Sequence, residues 1–114
     1  MTRIYKILNR IEWERALANG RFEGSAVDLA DGFIHFSTAD QAGETARRYF
    51  QGQADLMVLV VAAEDLGEAL RWEPSRGGAL FPHLYEPLAC DLVIEARAAP
   101  LTDEGGPDLG DLNR

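Results

Sequence analysis

The two histidines of the chain lie in the two segments with the greatest capacity for chemistry. His35 is in the short apolar run 33–36, directly before a helix-start signal, so it lies over the positive end of a helix dipole. A neutral imidazole there can donate or accept a hydrogen bond to a ligand, and the amides of the following turn can bind an anion. The alternative is that His35 is a structural residue between strand and loop, with Ser37 and Thr38 acting only as helix caps.

The second segment, residues 72–85, contains the other histidine, His83, with an arginine, a tyrosine and a pair of glycines. Arg76 can bind a phosphate or a carboxylate through two parallel hydrogen bonds. If this part of the chain is extended, the side chains of His83 and Tyr85 point to the same side. The sequence therefore predicts one cleft that holds both histidines, with Arg76 and Tyr85 on its wall. The alternative is a tight loop in which Arg76 pairs with Glu73 and the aromatic residues cover the core.

Composition argues against several other classes of function. A net charge of −8 disfavours sequence-independent binding to DNA or to an anionic membrane, since both require a positive protein surface. The longest apolar run, residues 56–63, is too short to span a bilayer, and the N-terminus does not have the pattern of a secretory signal. Cys90 is the only cysteine and neither histidine has a second metal ligand at the usual spacing, so we predict no metal site. A reducing, cytoplasmic location is expected.

The elements that must position these residues can be predicted from periodicity and capping signals. Asn9 with Glu12, and Thr38 with Gln41, match the capping box that begins a helix. The continuous apolar run 56–61 is typical of a central strand buried on both faces. Since the strands do not alternate regularly with helices, the predicted fold class is α+β rather than a doubly wound parallel sheet. Helices are expected near residues 10–19 and 39–51, and strands near residues 3–8, 32–36, 56–62, 70–73 and 92–97.

Two segments do not fit this pattern of strands and helices. Residues 21–31 are irregular and rich in glycine and polar residues, which predicts a loop. From Thr102 onward the chain is largely Gly, Asp and Glu with little apolar surface to bury, a composition typical of disorder. The sequence therefore predicts one domain over residues 1–101, followed by a disordered acidic tail over residues 102–114.

Two motifs give the chain a resemblance to a known family. They are residues 31–38, which read DGFIHFST, and residues 72–85, in which WEPSRGG is followed by LFPHLY. Over roughly residues 3–100 the chain resembles the bacterial domain of unknown function 952 family. Membership implies a fold similar to that of the ADP-ribosyltransferase superfamily, a compact split-sheet α+β architecture that binds NAD in a cleft. The resemblance makes NAD, or another phosphorylated nucleotide, the expected ligand.

The resemblance also assigns roles to individual residues. His35 with Ser37 or Thr38 is similar to the strand element that contacts the adenine-side ribose and the nicotinamide region. Tyr49 stands where a tyrosine would stack near nicotinamide, and Glu95 is the late-strand candidate for the glutamate that orients the ribose hydroxyl for transfer. Together with the residues of segment 72–85, this gives His35, His83 and Glu95 as the expected catalytic residues, and His35, Ser37, Thr38, Tyr49, Arg76 and Tyr85 as the expected ligand-binding residues.

The sequence leaves three functions open. The first is an NAD-dependent transferase, or a relative that transfers phosphate with histidines and an arginine, as superfamily members acting on phosphorylated RNA ends do. The second is a binding module that keeps the cleft without catalysis, and the third is an interaction protein whose aromatic residues contact a partner, such as a second copy. The position of Glu95 discriminates between the first two. A glutamate that points into the cleft of His35 favours transfer, and one that faces solvent favours the binding module.

Overall fold

Two three-stranded antiparallel sheets carry the fold, and a two-stranded ribbon lies beside them. The computed structural model of the protein describes residues 1–75 and 77–112. The strands in these ranges are Arg3–Asn9 (β1), Arg21–Phe22 (β2), Ile34–His35 (β3), Leu56–Ala62 (β4), Leu70–Ser75 (β5), Ala79–Leu84 (β6), Leu88–Ala89 (β7) and Val93–Ala99 (β8). The α-helices are Arg10–Asn19 (α1), Ala26–Asp31 (α2) and Ala39–Tyr49 (α3), and short 3-10 helices cover Ala63–Ala69 and Cys90–Leu92.

The first sheet has the strand order β1-β4-β8 and contains the predicted central strand. Val58, Leu59 and Val61 of β4 are 0% exposed, which confirms that this strand is buried on both faces. Its neighbours β1 and β8 bring Tyr5 and Glu95 to the two sides of β4. The strand pairs in the described residues are antiparallel, so the α+β fold class is confirmed.

The second sheet has the order β3-β6-β5 and brings the two histidines together. His35 of β3 lies directly opposite His83 of β6. Among the described residues, strand pairing between the two sheets is one bridge, in which Tyr5 N donates to Ser37 O at 2.8 Å and Ser37 N donates to Tyr5 O at 2.9 Å. The space next to this bridge is therefore bordered by residues from both sheets.

The apolar core has two parts because β1 is buried on both of its faces. Alternate residues of a strand point to opposite sides. Ile4 and Leu8 accordingly pack in one cluster, together with part of α1. Tyr5 and Ile7 pack in the other cluster, against Ala42 of α3. The first sheet is thus covered on one side by α1 and on the other by α3.

Both predicted helices are confirmed, and they begin at the predicted capping boxes. Glu12 N donates to the side-chain oxygen of Asn9 at 2.8 Å, which satisfies one of the free amides at the start of α1. Thr38 N donates to Oε1 of Gln41 at 3.0 Å at the start of α3. Among residues 1–75 and 77–112, the helices fall short of the length and apolar character that crossing a membrane requires.

The prediction of a loop over residues 21–31 is wrong, because this segment forms β2 and then α2. Ser25 N donates to Oδ2 of Asp28 at 2.8 Å and begins the helix. Sequence reasoning misses α2 because the helix buries a charged residue, while Val27 and Leu29 are exposed. The strand β6 is also absent from the predicted strands, since Pro82 interrupts its strand signal.

Residues 101–112 lie against α3 and the first sheet, whereas the sequence predicts disorder from Thr102 onward. Leu109 packs against the α3 cluster, and Leu112 belongs to that cluster with 9% of its surface exposed. The hydroxyl of Tyr5 donates to the carbonyl oxygen of Leu112. Two leucines among acidic residues thus supply contacts that composition does not reveal. The division of the chain after residue 101 stays a prediction.

Leu112→Ala tests whether this segment contributes to stability. The change removes a buried side chain at the edge of the α3 cluster, and we expect a loss of about 1–3 kcal/mol, or several degrees in Tm. Leu101→Ala is the matched control, because it makes the same change on a side chain that is 44% exposed. The control should stay within about 0.5 kcal/mol of the parent chain in urea and thermal unfolding. If the segment is disordered, both variants will unfold like the parent.

Candidate functional site

A cavity of about 640 Å³ opens beside the bridge between the two sheets. Four of the residues that the sequence predicts for the site line it, namely His35, Ser37, Tyr49 and His83. The wall is completed by β1, by α2 and by the end of α3. A second hollow of about 720 Å³ lies between α3 and residues 102–112, and none of the predicted site residues lines it. The chemistry of the protein is therefore concentrated in the first cavity.

His35 is held between two carboxylates. Its Nδ1 lies 2.6 Å from Oδ1 of Asp28, and its Nε2 lies 2.9 Å from Oδ2 of Asp31. The backbone N of His35 also donates to Oδ1 of Asp28, at 3.1 Å. An ionised carboxylate can only accept hydrogen bonds. Both ring nitrogens are therefore placed to donate, one to each carboxylate.

Asp28 is the buried partner in this group. Its side chain is 1% exposed and accepts hydrogen bonds from Nζ of Lys6 at 2.8 and 3.0 Å and from Ser25 N at 2.8 Å. Burial acts to raise the pKa of Asp28, but the hydrogen bond from His35 and the charge of Lys6 outweigh it and lower the pKa to about 2. Burial also lowers the pKa of Lys6 from its usual value, against the attraction of Asp28. The carboxylate that orients His35 is thus firmly ionised.

Sequence reasoning does not identify Lys6, Asp28 or Asp31 as part of the site. Two signals point to the ion pair. One is a lysine in the middle of the apolar strand β1, since a buried ammonium requires an opposite charge. The other is the spacing of Ser25 and Asp28, which is that of a capping box. The structure shows both of the reciprocal hydrogen bonds of this box. Asp31 carries no such signal, because only the fold brings it to His35.

His83 is held by a carboxylate of its own. Its Nδ1 lies 2.8 Å from Oε1 of Glu73, which also accepts from the hydroxyl of Tyr85 at 2.7 Å. The hydrogen bonds from Tyr85 and His83 lower the pKa of Glu73, and the same contact raises the pKa of Tyr85. The ring centroid of His83 lies 5.6 Å from that of His35, and Phe33 stacks on His83 at 4.0 Å. Two adjacent histidines are therefore each fixed by an acidic partner.

Three other predicted site residues, Thr38, Tyr85 and Glu95, do not line the cavity. Tyr85 lies beside the site, and Thr38 begins α3 outside the cavity wall. Glu95 lies on the outer strand β8 of the first sheet, where its side chain is 45% exposed and pairs with Arg97 at 3.2 Å. Arg76 lies outside the described residues. The structure thus brings both histidines together and leaves Glu95 apart from them.

The cavity offers hydrogen-bond donors, acid–base groups and an aromatic surface. His35 directs both ring nitrogens at carboxylates, and His83 has one ring nitrogen that Glu73 does not use. The ring of Tyr49, which is 60% exposed, provides a surface for stacking. In the described part of the chain, no three His, Cys, Asp or Glu side chains converge so that they could hold a metal ion. The arrangement suits an organic ligand with both planar and polar groups.

The fold and the site define a small α+β protein with a cleft built around two adjacent histidines. The chain belongs to the family described as protein of unknown function DUF952, whose family model matches residues 7–96. This match confirms the family that the two motifs suggest. A comparison with curated proteins found no match for the chain.

Solved structures of a bacterial relative have the same fold. The crystal structure of protein CC0527 from Caulobacter crescentus is 61% identical, with a TM-score of 0.94 and 96% of each chain covered. The solution NMR structure of CC0527 is also 61% identical, with a TM-score of 0.87, and the match covers 97% of this chain and 96% of that chain. The double mutant V27M / L66M of CC0527 gives a TM-score of 0.93 at 59% identity, with 96% of each chain covered.

Asp28→Asn should destabilise the domain strongly. The substitution keeps the shape of the side chain but leaves the ammonium of Lys6 buried without an opposite charge, at a cost of about 3–5 kcal/mol. Asp31→Asn is the matched control, because the same change is made on a carboxylate that is 48% exposed. We expect the control to cost less than about 1 kcal/mol in urea unfolding. Equally small losses for both variants would contradict a stabilising role for the buried pair.

At acidic pH, the free energy of unfolding of the domain should also depend on the ionisation of Asp28. The pKa of Asp28 is about 2 in the fold and 3.8 ordinarily, so near pH 3 the unfolded chain binds a proton that the folded chain does not. The contribution of Asp28 is therefore complete above about pH 4 and is lost as the pH falls toward about 2, a change of roughly 2 kcal/mol. Across this pH window, the free energy of unfolding should change less with pH in Asp28→Asn than in the parent chain. An identical slope in both proteins would argue against the lowered pKa.

Proposed function

We propose that the protein binds a nucleotide of the NAD class in the cavity between its two sheets. The observation that carries the proposal is that His35, Ser37 and Tyr49 line one cavity. These are three positions to which the family resemblance assigns contacts with ribose and nicotinamide. His35 and Ser37 are near neighbours in the sequence, whereas Tyr49 comes from the far end of α3, so the fold is what brings Tyr49 to the same cavity.

The size and chemistry of the cavity support this ligand class. Its volume of about 640 Å³ lies within the range of small-molecule sites. Phe50 and Phe81 add apolar surface beside Tyr49, and the ring of a base or of nicotinamide can stack on such side chains. The division of the strands between two sheets supports the ADP-ribosyltransferase-like split sheet that the resemblance implies. We assign this binding to the cytoplasm, the compartment that the lone Cys90 favours.

Binding is better supported than ADP-ribosyl transfer. Transfer requires a carboxylate that orients the ribose hydroxyl while positive charge develops on the sugar. Glu95, the residue expected to supply it, is not on the cavity wall and pairs with Arg97 instead. The carboxylates that do line the cavity are those of Glu12 and Asp31, and both are engaged in local hydrogen bonds. We therefore favour a nucleotide-binding module.

Phosphate transfer is the second candidate, and one observation favours it. His35 and His83 are adjacent, and Nε2 of His83 has no hydrogen-bond partner within the described residues. In such a reaction Nε2 of His83 takes the proton of an attacking hydroxyl or water as a bond from its oxygen to phosphorus forms. The bond from phosphorus to the leaving oxygen breaks, and His35 gives that oxygen a proton. Turnover of RNA with a phosphorylated end, lost in His83→Ala, would support this candidate.

A proton–nitrogen NMR titration tests the proposed binding. NAD, ADP-ribose and short RNA with a phosphorylated end are added separately to the full chain. We expect NAD and ADP-ribose to shift the amide signals of residues 35–37 and 49–50, because these residues border the cavity. Signals that remain unchanged with every probe up to about millimolar concentration would overturn the proposal.

Tyr49→Ala tests the stacking surface within the same site. Loss of an aromatic platform for one base is expected to weaken NAD binding roughly fivefold to a hundredfold. Trp72→Ala is the matched control, because it removes another exposed aromatic ring that does not line the cavity. The control should bind NAD within about twofold of the parent chain. Equal weakening in both variants would show that the nucleotide does not stack on Tyr49.

A further inference from the structure

An exposed carboxylate occupies the Nε2 position of His35 in the cavity. Oδ2 of Asp31 lies 2.9 Å from Nε2 of His35, and both residues line the cavity. Within residues 1–75 and 77–112, this is the one hydrogen bond made by the Asp31 carboxylate. The side chain is 48% exposed, so rotation into solvent frees Nε2 without disturbing the core.

The two carboxylates that hold His35 differ in how firmly they are fixed. Asp28 is 1% exposed and is also bonded to a buried ammonium and to a backbone amide. Asp31 is the last residue of α2, next to Gly32, whose φ of 88° ends the helix. A negative charge at a helix C-terminus faces unpaired carbonyl groups and is disfavoured there. Asp28 is therefore a permanent partner of His35, and Asp31 is a replaceable one.

We propose that Nε2 of His35 is an oxyanion subsite, and that an anionic oxygen of the bound nucleotide replaces Asp31 there. The inference rests on the proposed function and adds the ligand group that the site recognises, a phosphoryl or carboxylate oxygen. Because Asp28 keeps Nδ1 bonded, the ring keeps its orientation while the oxygen at Nε2 is exchanged. A neutral oxygen replaces Asp31 less well, since a charge-assisted hydrogen bond is roughly twice as strong as a neutral one.

Affinity measurements on Asp31→Ala test the subsite. ADP-ribose supplies phosphoryl oxygens, nicotinate supplies a carboxylate and adenosine supplies neither, and each is titrated into the full chain by calorimetry. Removal of the competing carboxylate should tighten binding of ADP-ribose roughly tenfold and leave adenosine within about twofold. A gain for nicotinate alone would assign the subsite to a carboxylate oxygen. Asp65→Ala is the matched control, because it makes the same charge change on an exposed residue away from the cavity.

A double variant separates the subsite from general electrostatics. Asp31→Ala combined with His35→Gln should lose the gain, because glutamine has no imidazole Nε2 at this position, and thermal melting verifies that each variant is folded. Unchanged affinity in Asp31→Ala, with the parent chain still binding ADP-ribose, overturns the subsite and leaves the proposed function standing. An equal gain in Asp65→Ala also overturns the subsite, since net charge then explains the effect. If neither the parent nor Asp31→Ala binds any probe, the proposed function is overturned.

Discussion

The buried ion pair between Lys6 and Asp28 is the interaction on which the site depends. An ammonium group inside an apolar cluster is tolerated only when an opposite charge lies within hydrogen-bonding distance. Lys6 belongs to the first sheet and Asp28 to α2, so their contact at 2.8 Å fixes this short helix against β1. Asp28 also bonds the ring and the backbone of His35. A charge placed in the core by one strand therefore sets the orientation of a histidine in another sheet.

The register of the second sheet is a separate constraint on the positions of the two histidines. Side chains directly opposite each other in an antiparallel pair lie on one face of the sheet. The pairing of His35 with His83 thus keeps the two rings close, whatever the position of α2. Glu73 on β5 then fixes His83, as Asp28 fixes His35. Burial of charge and strand register act independently, and both determine the geometry of the cavity wall.

The parts of the fold that were predictable have local signals. The capping residues Asn9 and Thr38 mark helix starts, and the apolar run of β4 marks a buried strand, because these features depend on near neighbours in sequence. The proximity of the two histidines was also predicted, from the residues that flank them. The helix α2 was not predicted, because it buries an acidic residue whose partners come from β1 and β3. A contact between residues of different elements produces no periodic pattern in the sequence that could predict it.

The same limit applies to Glu95 and to residues 101–112. A glutamate in a late strand is the residue type expected to supply a catalytic carboxylate. Whether it reaches a cleft depends on the strand order of the sheet. Here β4 separates β8 from β1, so Glu95 lies at the opposite edge of the sheet from Tyr5. In residues 101–112, two leucines among acidic residues find an apolar surface on α3 that composition cannot reveal.

The bridge between Tyr5 and Ser37 has a consequence for the motion of the molecule. Its two hydrogen bonds are the strand pairing between the sheets in the described residues, and both residues border the cavity. The bridge is thus a short seam between the sheets, which also share an apolar cluster that contains Ile4 and Leu59 of the first sheet with Ile34 and Leu84 of the second. Local opening of this seam exposes the bridge at the edge of the cavity while the cluster holds the sheets together. The amides of Tyr5 and Ser37 exchange their protons with water when the seam opens, whereas those of β4 exchange only when the first sheet unfolds.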